Sequence, residues 1–537
     1  MEDIELVFIL LAVVAAITVV SRRIGVPYPI LMVIAGLLLG IIPGSPLHIE
    51  LEPDIVLLVF LPPILFSAAY LSSPRELWRN VRPIGLLAVG LVIITTAAVA
   101  LVAMLLVPEI GLALAAALGA IVSPPDAIAA TTIARRLNLP RRLVVIFEGE
   151  SLVNDATALT FYGLAVSAIG VATVTVQGVA IRFGMVTLGG VLIGLVVGRA
   201  AVWLLDQLND SPVEVLLTLL VPFAAYLPAD QLGVSGVLST VTAGLFVGWY
   251  SPRIMTSSTR VLGMATWQMV VFVVNGLAFL LVGLQLPTVL ADIEGYAPIE
   301  LLGMAAAISA TVIIVRLLWI YPATYVPRWL FPGIARRDPA PPVGVPLILG
   351  WGGMRGAVSM AAALALPHQM NGAELEGRGL LIFLTFSVIL VTLVGQGLTL
   401  PSLIRALGVS EEGEVEDEEI HARSVAAEAA LVRLVELRTQ VPGHLPLIDE
   451  LTQRYEHIAT HLVEQEDLPE ATDGTSADGA ELTPKEQEEM EHDEIRRAVI
   501  AAEREAVLAL RDTGEIGEDA LHAVERDLDL DELRRET

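Results

Sequence analysis

The sequence predicts an all-α, polytopic membrane protein of about thirteen transmembrane helices, followed by an acidic helical tail. Three observations predict it. Hydrophobic residues make up 55% of the 537, and mean hydropathy is +0.71. Apolar runs of about 18–25 residues, the length that crosses a bilayer as a helix, recur as far as residue 398. Nearly all of the net charge of −27 lies beyond Gly408.

Run length and breaker residues place the spans at roughly 3–20, 26–43, 53–70, 84–107, 111–136, 142–169, 176–204, 213–228, 233–249, 260–287, 300–322, 344–367 and 377–398. The first run follows the acidic flank "MEDIE", has no small-residue cleavage site and leads straight into further runs. It is therefore expected to be a span and not a removable signal peptide. Orientation follows from the arginines, because basic loops stay cytoplasmic. Arg22 and Arg23, then Arg75, Arg79 and Arg82, then Arg135, Arg136, Arg141 and Arg142, then Arg253 and Arg260, then Arg328, Arg336 and Arg337 fall in alternate loops. The loops between them, such as "IIPGSPLHIELEPD" and "LPTVLADIEGYAPIE", are acidic or neutral. The N-terminus is thus expected outside and the C-terminus in the cytoplasm, which requires an odd number of spans. The expected location is the cell membrane, with lipid as the surrounding partner.

Two domains are expected: residues 1–407 in the membrane and 408–537 as a cytoplasmic tail. "HARSVAAEAALVRLVELRTQ" and "EIRRAVIAAEREAVLALRD" space apolar residues helically between charged faces, so both read as amphipathic helices. Between them, the polar, acidic and breaker-rich stretch near 464–484 reads as a disordered linker. The tail's ligand cannot be read from its composition, and nothing along the chain suggests a nucleic-acid partner.

Polar residues inside the spans carry the chemistry. The run "IFEGESLVNDATAL", residues 146–159, sets Glu148, Glu150, Asn154 and Asp155 in a span. Charges in the bilayer normally face a protein interior or a water-filled pathway. Asp155 falls about 20 Å along its span, close to the midplane. Ser151 lies one turn before it, and Glu150 and Asn154 form the adjacent i, i+4 pair. In span five, "GAIVSPPDAIAATTI", Pro124 and Pro125 lack backbone N–H groups and disfavour helix before them, so the helix is expected to break around Ser123 to Asp126. Asp126 then starts the second half-helix, where its charge suits the dipole. In span twelve, "LGWGGMRGAVSMAAALALP", Gly352 and Gly353 beside Arg355 mark a second break. These two interrupted spans occupy corresponding places in two six-span halves, the pattern of a transporter site built from inverted repeats. Arg355 needs an acidic partner, and Glu150 is the expected one.

Cysteine is absent, and the eight histidines show no ligand spacing, so a structural zinc site has no donors. An aspartate among oxygen-bearing neighbours suits a hard, weakly held cation or a proton, the two competing for the Asp155 carboxylate. No cofactor and no enzymatic activity are expected.

At these residues the chain resembles the monovalent cation:proton antiporter family, the bacterial and archaeal sodium/proton antiporters related to the animal sodium/hydrogen exchangers. The resemblance covers about residues 1–405, and "FEGESLVNDATAL" is its most specific motif. It implies that Asn154 and Asp155 carry ion binding and proton exchange, that Ser151 is the family's serine one turn earlier, and that Glu150 and Arg355 match its buried acid–arginine pair. The family's Ser-Pro-Thr-Asp reads Ser123-Pro124-Pro125-Asp126 here, so Pro125 offers a backbone carbonyl but no hydroxyl. Ser67 stands where relatives often carry an acid. Asn-Asp in place of Asp-Asp implies electroneutral exchange of one cation for one proton, because an amide cannot titrate. The resemblance also implies a homodimer and a role in sodium and pH homeostasis. Glycines four apart, Gly190, Gly194 and Gly198 with Gly36 and Gly40, suit close helix packing. Three alternatives stay open from sequence: potassium as the cation, an ion-sensing receptor signalling through the tail, and an intramembrane enzyme using Asp126 and Asp155.

Overall fold

The computed structural model describes residues 2–24, 26–42, 56–169, 176–285, 289–290, 293, 296–367, 369–370, 373–409, 414–461 and 484–536. The expected linker near 464–484 lies almost wholly outside these residues, as do parts of the two loops read above as external. Among the described residues the regular structure is helical except for an antiparallel pairing of Gln369–Met370 with Ala373–Glu374. It divides into two compact units: Met1–Ile254 with Met264–Glu411, and Met255–Gly263 with Glu412–Thr537. This differs from a simple cut at residue 408, because Met255–Gly263, which includes the first turns of the helix Ser257–Leu284, belongs to the tail unit.

In the first unit, α1 (Glu2–Ile24) and α2 (Tyr28–Ile41) precede a π-turn at Val56–Phe60 that leads into α3 (Leu61–Tyr70). The cap Ser73 opens α4 (Pro74–Arg79), its side chain accepting from Glu76 N. α5 (Val81–Gly85) passes through a second π-turn, Leu86–Leu91, into α6 (Val92–Leu106). The span expected at 111–136 is two helices, α7 (Gly111–Val122) and α8 (Ala127–Arg136). Then come α9 (Arg141–Ala168), α10 (Val176–Leu205), α11 (Ser211–Gln231), α12 (Gly236–Ile254), α13 (Ser257–Leu284) and α14 (Pro298–Leu330). After the short α15 (Pro332–Arg337), the span expected at 344–367 is also divided, into α16 (Gly344–Trp351) and α17 (Ala357–Leu364). Finally α18 (Arg378–Leu390) runs through a π-turn at Val391–Gln396 into α19 (Gly397–Leu407), where Gly408 ends the helix in the left-handed conformation.

Eight helical stretches among the described residues are long and apolar enough to cross a membrane, and Tyr28–Ile41 and Leu58–Tyr70 are shorter apolar helices. The remaining expected spans coincide with α9, α12 and the divided α16–α17. Leu188, Leu192 and Val196 on α10 are 63–69% exposed, as a lipid-facing stripe at helical spacing requires. The glycine pattern of α10 is used internally: a Cβ on Gly190 or Gly194 would come within 2.5 or 2.4 Å of the Ser235 or Ser239 carbonyl of the neighbouring helical layer. Outside the spans, Asp338 binds Arg142 at 2.8 Å and Arg328 at 2.9 Å, and also Arg82. Burial works against the charge, yet these arginines hold the Asp338 carboxyl below the usual carboxylate range.

The second unit packs α20 (Glu414–Gln440), α21 (Leu445–His461), α22 (Pro484–Thr513) and α23 (Glu518–Glu536) around two apolar clusters. Ala426, Val507 and Leu521 belong to one, and Leu434, Ile448 and Val499 to the other. The segment Met255–Gly263 is tied in by charge. Arg260 Nε donates to Asp529 at 2.9 Å, Arg504 reaches Asp529 at 2.7 Å and Glu532 at 3.1 Å, and Ser257 bonds Glu532. Glu525 lies buried beside this network with one oxygen unpaired. Burial, which withholds water from the charged form, and the nearby Asp529 and Glu518 push its carboxyl from 4.5 up to about 7, against the pull of Arg260 and Arg504.

A carboxyl with a raised pKa confers stability that is complete below its free value and is lost as pH rises through its folded value. Amide hydrogen exchange in α23 of the full-length protein should therefore accelerate as pH rises through about 7, after correction for intrinsic exchange. Glu525→Gln, which cannot titrate, should flatten that step. An unchanged step in the variant would assign it to another group.

Candidate functional site

The two interruptions meet. Asp126 N donates to Met354 O at 2.6 Å, which joins the break after α7 to the break after α16. Gly356 makes the approach possible, because a Cβ there would lie 1.8 Å from Asp126 Oδ2. Each break leaves backbone groups without helical partners, and each is satisfied locally. Asp126 caps α8, its Oδ1 accepting from Ile128 N at 2.8 Å. Arg355, completely buried, donates from Nε to Val122 O at 3.0 Å and from a terminal nitrogen to Ser123 O at 3.3 Å, and it also bonds Gly353 O. It therefore closes the C-terminal end of α7, where a cation suits the dipole.

The expected partner of Arg355 is corrected by this geometry. Glu150, 1% exposed, binds Arg316 of α14 through both carboxylate oxygens, at 2.5 and 2.9 Å. Arg316 also donates to Leu349 O near the end of α16, at 3.0 and 3.3 Å. A Cβ on Gly353 would strike Arg316 Nε at 2.2 Å, so this glycine makes room for the guanidinium. Arg316 was legible only as a lone charge within an apolar run. Its partner was not, because a bidentate acid–arginine pair depends on which spans adjoin.

On α9, Ser151 Oγ accepts from Ala127 N at 3.4 Å, and Asn154 Nδ2 donates to Pro125 O at 3.3 Å. Asn154 thus holds the unwound stretch, while its own Oδ1 is buried without a partner. Pro124, Pro125, Asp126, Ser151 and Asp155 line one cavity of about 580 Å³, and Asn154 and Glu150 do not. Tyr28 of α2, Ser67 of α3, and Gln268 and Asn275 of α13 line the same cavity. At one end stand Thr131, Thr132 and the pair Arg135–Glu148, 3.1 Å apart, whose side chains are 55% and 29% exposed. Glu148 therefore belongs to the mouth. Beyond Ile64, Ala357 and Val358 lies a small apolar pocket of about 30 Å³ bounded by Phe60, Leu61, Leu281, Met360 and Leu364. Among the described residues no group of three His, Cys, Asp or Glu would hold a metal ion.

Two carboxylates thus line one cavity at crossed helix breaks, and ionisable residues inside apolar helices of this kind mark ion or proton pathways. The family model for the transmembrane domain of sodium/hydrogen exchangers matches residues 9–406. The chain belongs to that family. A protein of Mycobacterium tuberculosis named as an uncharacterized Na+/H+ exchanger is 34% identical to this exchanger over 98% of the chain and 95% of its own length. A Bacillus subtilis protein named as a sodium, potassium, lithium and rubidium/H+ antiporter is 31% identical over 75% of the chain and 62% of its own. In fold, the exchanger is similar to the sodium proton antiporter MjNhaP1 of Methanocaldococcus jannaschii, with a TM-score of 0.59, 16% identity, and coverage of 76% of this chain and 99% of that one.

Breaking a buried ion pair strands a charge and costs about 3–5 kcal/mol, whereas removing both partners costs less. Arg316→Met should therefore lower the melting temperature in detergent, and Glu150→Gln in the same chain should recover part of the loss. Additive losses at 150 and 316 would show that the pair contributes no coupling.

Proposed function

We propose that this exchanger moves Na+ or Li+ against H+ in a one-for-one, electroneutral cycle, with cation and proton competing for Asp155. The observation that carries the reading is the shared cavity of Asp155, Asp126, Ser151 and Pro125 at the crossing of the two breaks. Asp155 supplies the charge, with the Ser151 hydroxyl and the Pro125 carbonyl as neutral oxygen donors for a hard cation. Asn154 positions that carbonyl and cannot titrate. Asp126 is largely committed to capping α8 and serves as the second, fixed carboxylate.

By the arginine rule the mouth at Arg135 and Glu148 is cytoplasmic, with the N-terminus outside and the C-terminus inside. The conformation described is then open inward, with the apolar pocket around Phe60, Leu281 and Leu364 as the outward seal. Alternation requires the site to change sides only when occupied. The names of the relatives favour sodium over potassium alone. Lipid surrounds the spans, and a second copy of the chain is the proposed partner on the exposed apolar faces.

In proteoliposomes, Asp155→Asn should abolish cation-driven proton flux while leaving insertion and folding intact, because the amide keeps the shape without the charge. Near-normal flux from folded mutant protein would dismiss Asp155 as the carrier. Competition also fixes the pH response. Raising the proton concentration should raise the apparent KM for the cation with little change in maximal rate, and at alkaline pH the rate should fall for want of the returning proton. The profile is a bell whose centre moves towards alkaline pH as cation concentration falls, because fewer protons then suffice to displace the cation. An imposed membrane potential should not alter the rate, and a reproducible voltage dependence would require a second titrating group.

A further inference from the structure

We infer that the arginines gathered around Asp338 bind the phosphodiester of an anionic phospholipid at the membrane surface. The inference does not depend on the exchange reading. Arg82 is the second residue of α5, which continues into α6, Arg142 is the second residue of α9, and Arg328 lies in the last turn of α14. Two membrane helices thus start, and a third ends, at one cluster of guanidinium groups. Asp338 is the carboxylate that all three share, bound by Arg142 at 2.8 Å, by Arg328 at 2.9 Å and by Arg82. Their other bonds go to neutral oxygens: Arg142 Nε donates to Asn80 Oδ1 at 3.1 Å, and Arg328 donates to the carbonyls of Asp338 and Thr324. Glu76 of the adjoining α4 is paired with Arg141 instead, at 2.9 Å. The three arginines are therefore left with two positive charges in excess. Arg336 and Arg337, just before Asp338, are exposed, and neither forms an ion pair or hydrogen bond among the described residues.

The excess charge calls for an anion, and the side chains beside it decide which kind. Trp329, Leu330 and Phe331, which follow Arg328 directly, are 80%, 54% and 59% exposed. Large apolar side chains at the end of a membrane helix have their place in lipid, and tryptophan prefers the level of the headgroups. A soluble anion would answer the charge and leave these groups in water. A phospholipid answers both, with its phosphate on the arginines and its chains against the apolar residues. Guanidinium groups suit that phosphate, because their planar N–H pairs match two unesterified oxygens. The Arg142 and Arg82 side chains keep 47% and 25% of their surface exposed, so they stay within reach of a headgroup while bound to Asp338. By the arginine rule the leaflet is the cytoplasmic one, whose anionic lipids attract basic segments. Asp338 then has two effects: it gathers the arginines, and it competes with the lipid for them.

The test is the melting temperature of the full-length protein in detergent, titrated with phosphatidylglycerol and, in parallel, with zwitterionic phosphatidylcholine and with inorganic phosphate. Phosphatidylglycerol should raise it, and the other two should not. Arg336→Gln combined with Arg337→Gln leaves the Asp338 contacts in place, so this variant should fold as the wild type does. It should need about tenfold more phosphatidylglycerol for the same effect. Arg22→Gln combined with Arg23→Gln, which removes an equally exposed pair from another basic loop, should keep the wild-type midpoint. Asp338→Asn should melt lower than the wild type without lipid and gain more from phosphatidylglycerol, because the lipid phosphate takes over the released guanidinium groups. If that variant does not fold, the two arginine pairs decide alone. Equal weakening by both pairs would reduce the effect to general surface attraction and overturn the site. No stabilisation by phosphatidylglycerol, or equal stabilisation by phosphatidylcholine or inorganic phosphate, would overturn the lipid assignment.

Discussion

A peptide group without a hydrogen bond is costly in a bilayer, and this chain places two interruptions in its membrane unit. Its buried polar residues are arranged around that constraint. Arg355 takes the carbonyls at the end of α7, Arg316 a carbonyl near the end of α16, Asp126 the Ile128 N–H of α8, Ser151 that of Ala127, and Asn154 the carbonyl of Pro125. The two arginines play equivalent parts at the two breaks, as expected of repeated halves. Only one of them needs a carboxylate. Arg316 is held by Glu150, whereas Arg355 spends its donors on backbone oxygens. Asp155 takes no part in any of these bonds, so it faces the cavity free to bind something else.

The sequence carried the fold class clearly, because span length and arginine alternation are properties of single segments. It also singled out Asp155 and Asp126, since a carboxylate in an apolar run needs a reason, and both line the cavity. Pro124 and Pro125 lie where α7 has ended, as steric rules for proline suggest. What stayed hidden is what depends on neighbours in space. Glu150 has two buried arginines within electrostatic reach, and nothing local says that the one on α14 is the partner. Met255–Gly263 reads as a basic loop, and its place in the tail unit follows from Asp529 and Glu532, some 270 residues away.

The charge distribution follows the same separation of tasks. The tail's acids are not a uniform coat. Asp529 and Glu532 converge on Arg504 and Arg260, and Glu525 lies buried next to them. A network of this kind is sensitive to the addition of one proton in a way that dispersed surface pairs are not.

The glycines sort the membrane helices into two blocks. Gly36 and Gly283 lock α2 to α13, Gly244 and Gly248 lock α12 to α3, Gly190 and Gly194 lock α10 to α12, and Gly119 locks α7 to α6, each by backbone approaches that leave no room for a Cβ. Among the described glycines, α1–α3 with α10–α13 and α5–α9 with α14–α19 share just one such approach, Gly397 against the tip of Ile30. The cavity runs along that boundary, with Tyr28, Ser67 and Asn275 on one block and Asp126, Ser151 and Asp155 on the other. Interdigitated backbones behave like meshed teeth, whereas side-chain tips can ride over one another. Along this boundary the helices meet through side chains, with Leu61 and Leu65 in one apolar cluster with Leu152 and Ala156, so a displacement there would leave every locked backbone pair as it is.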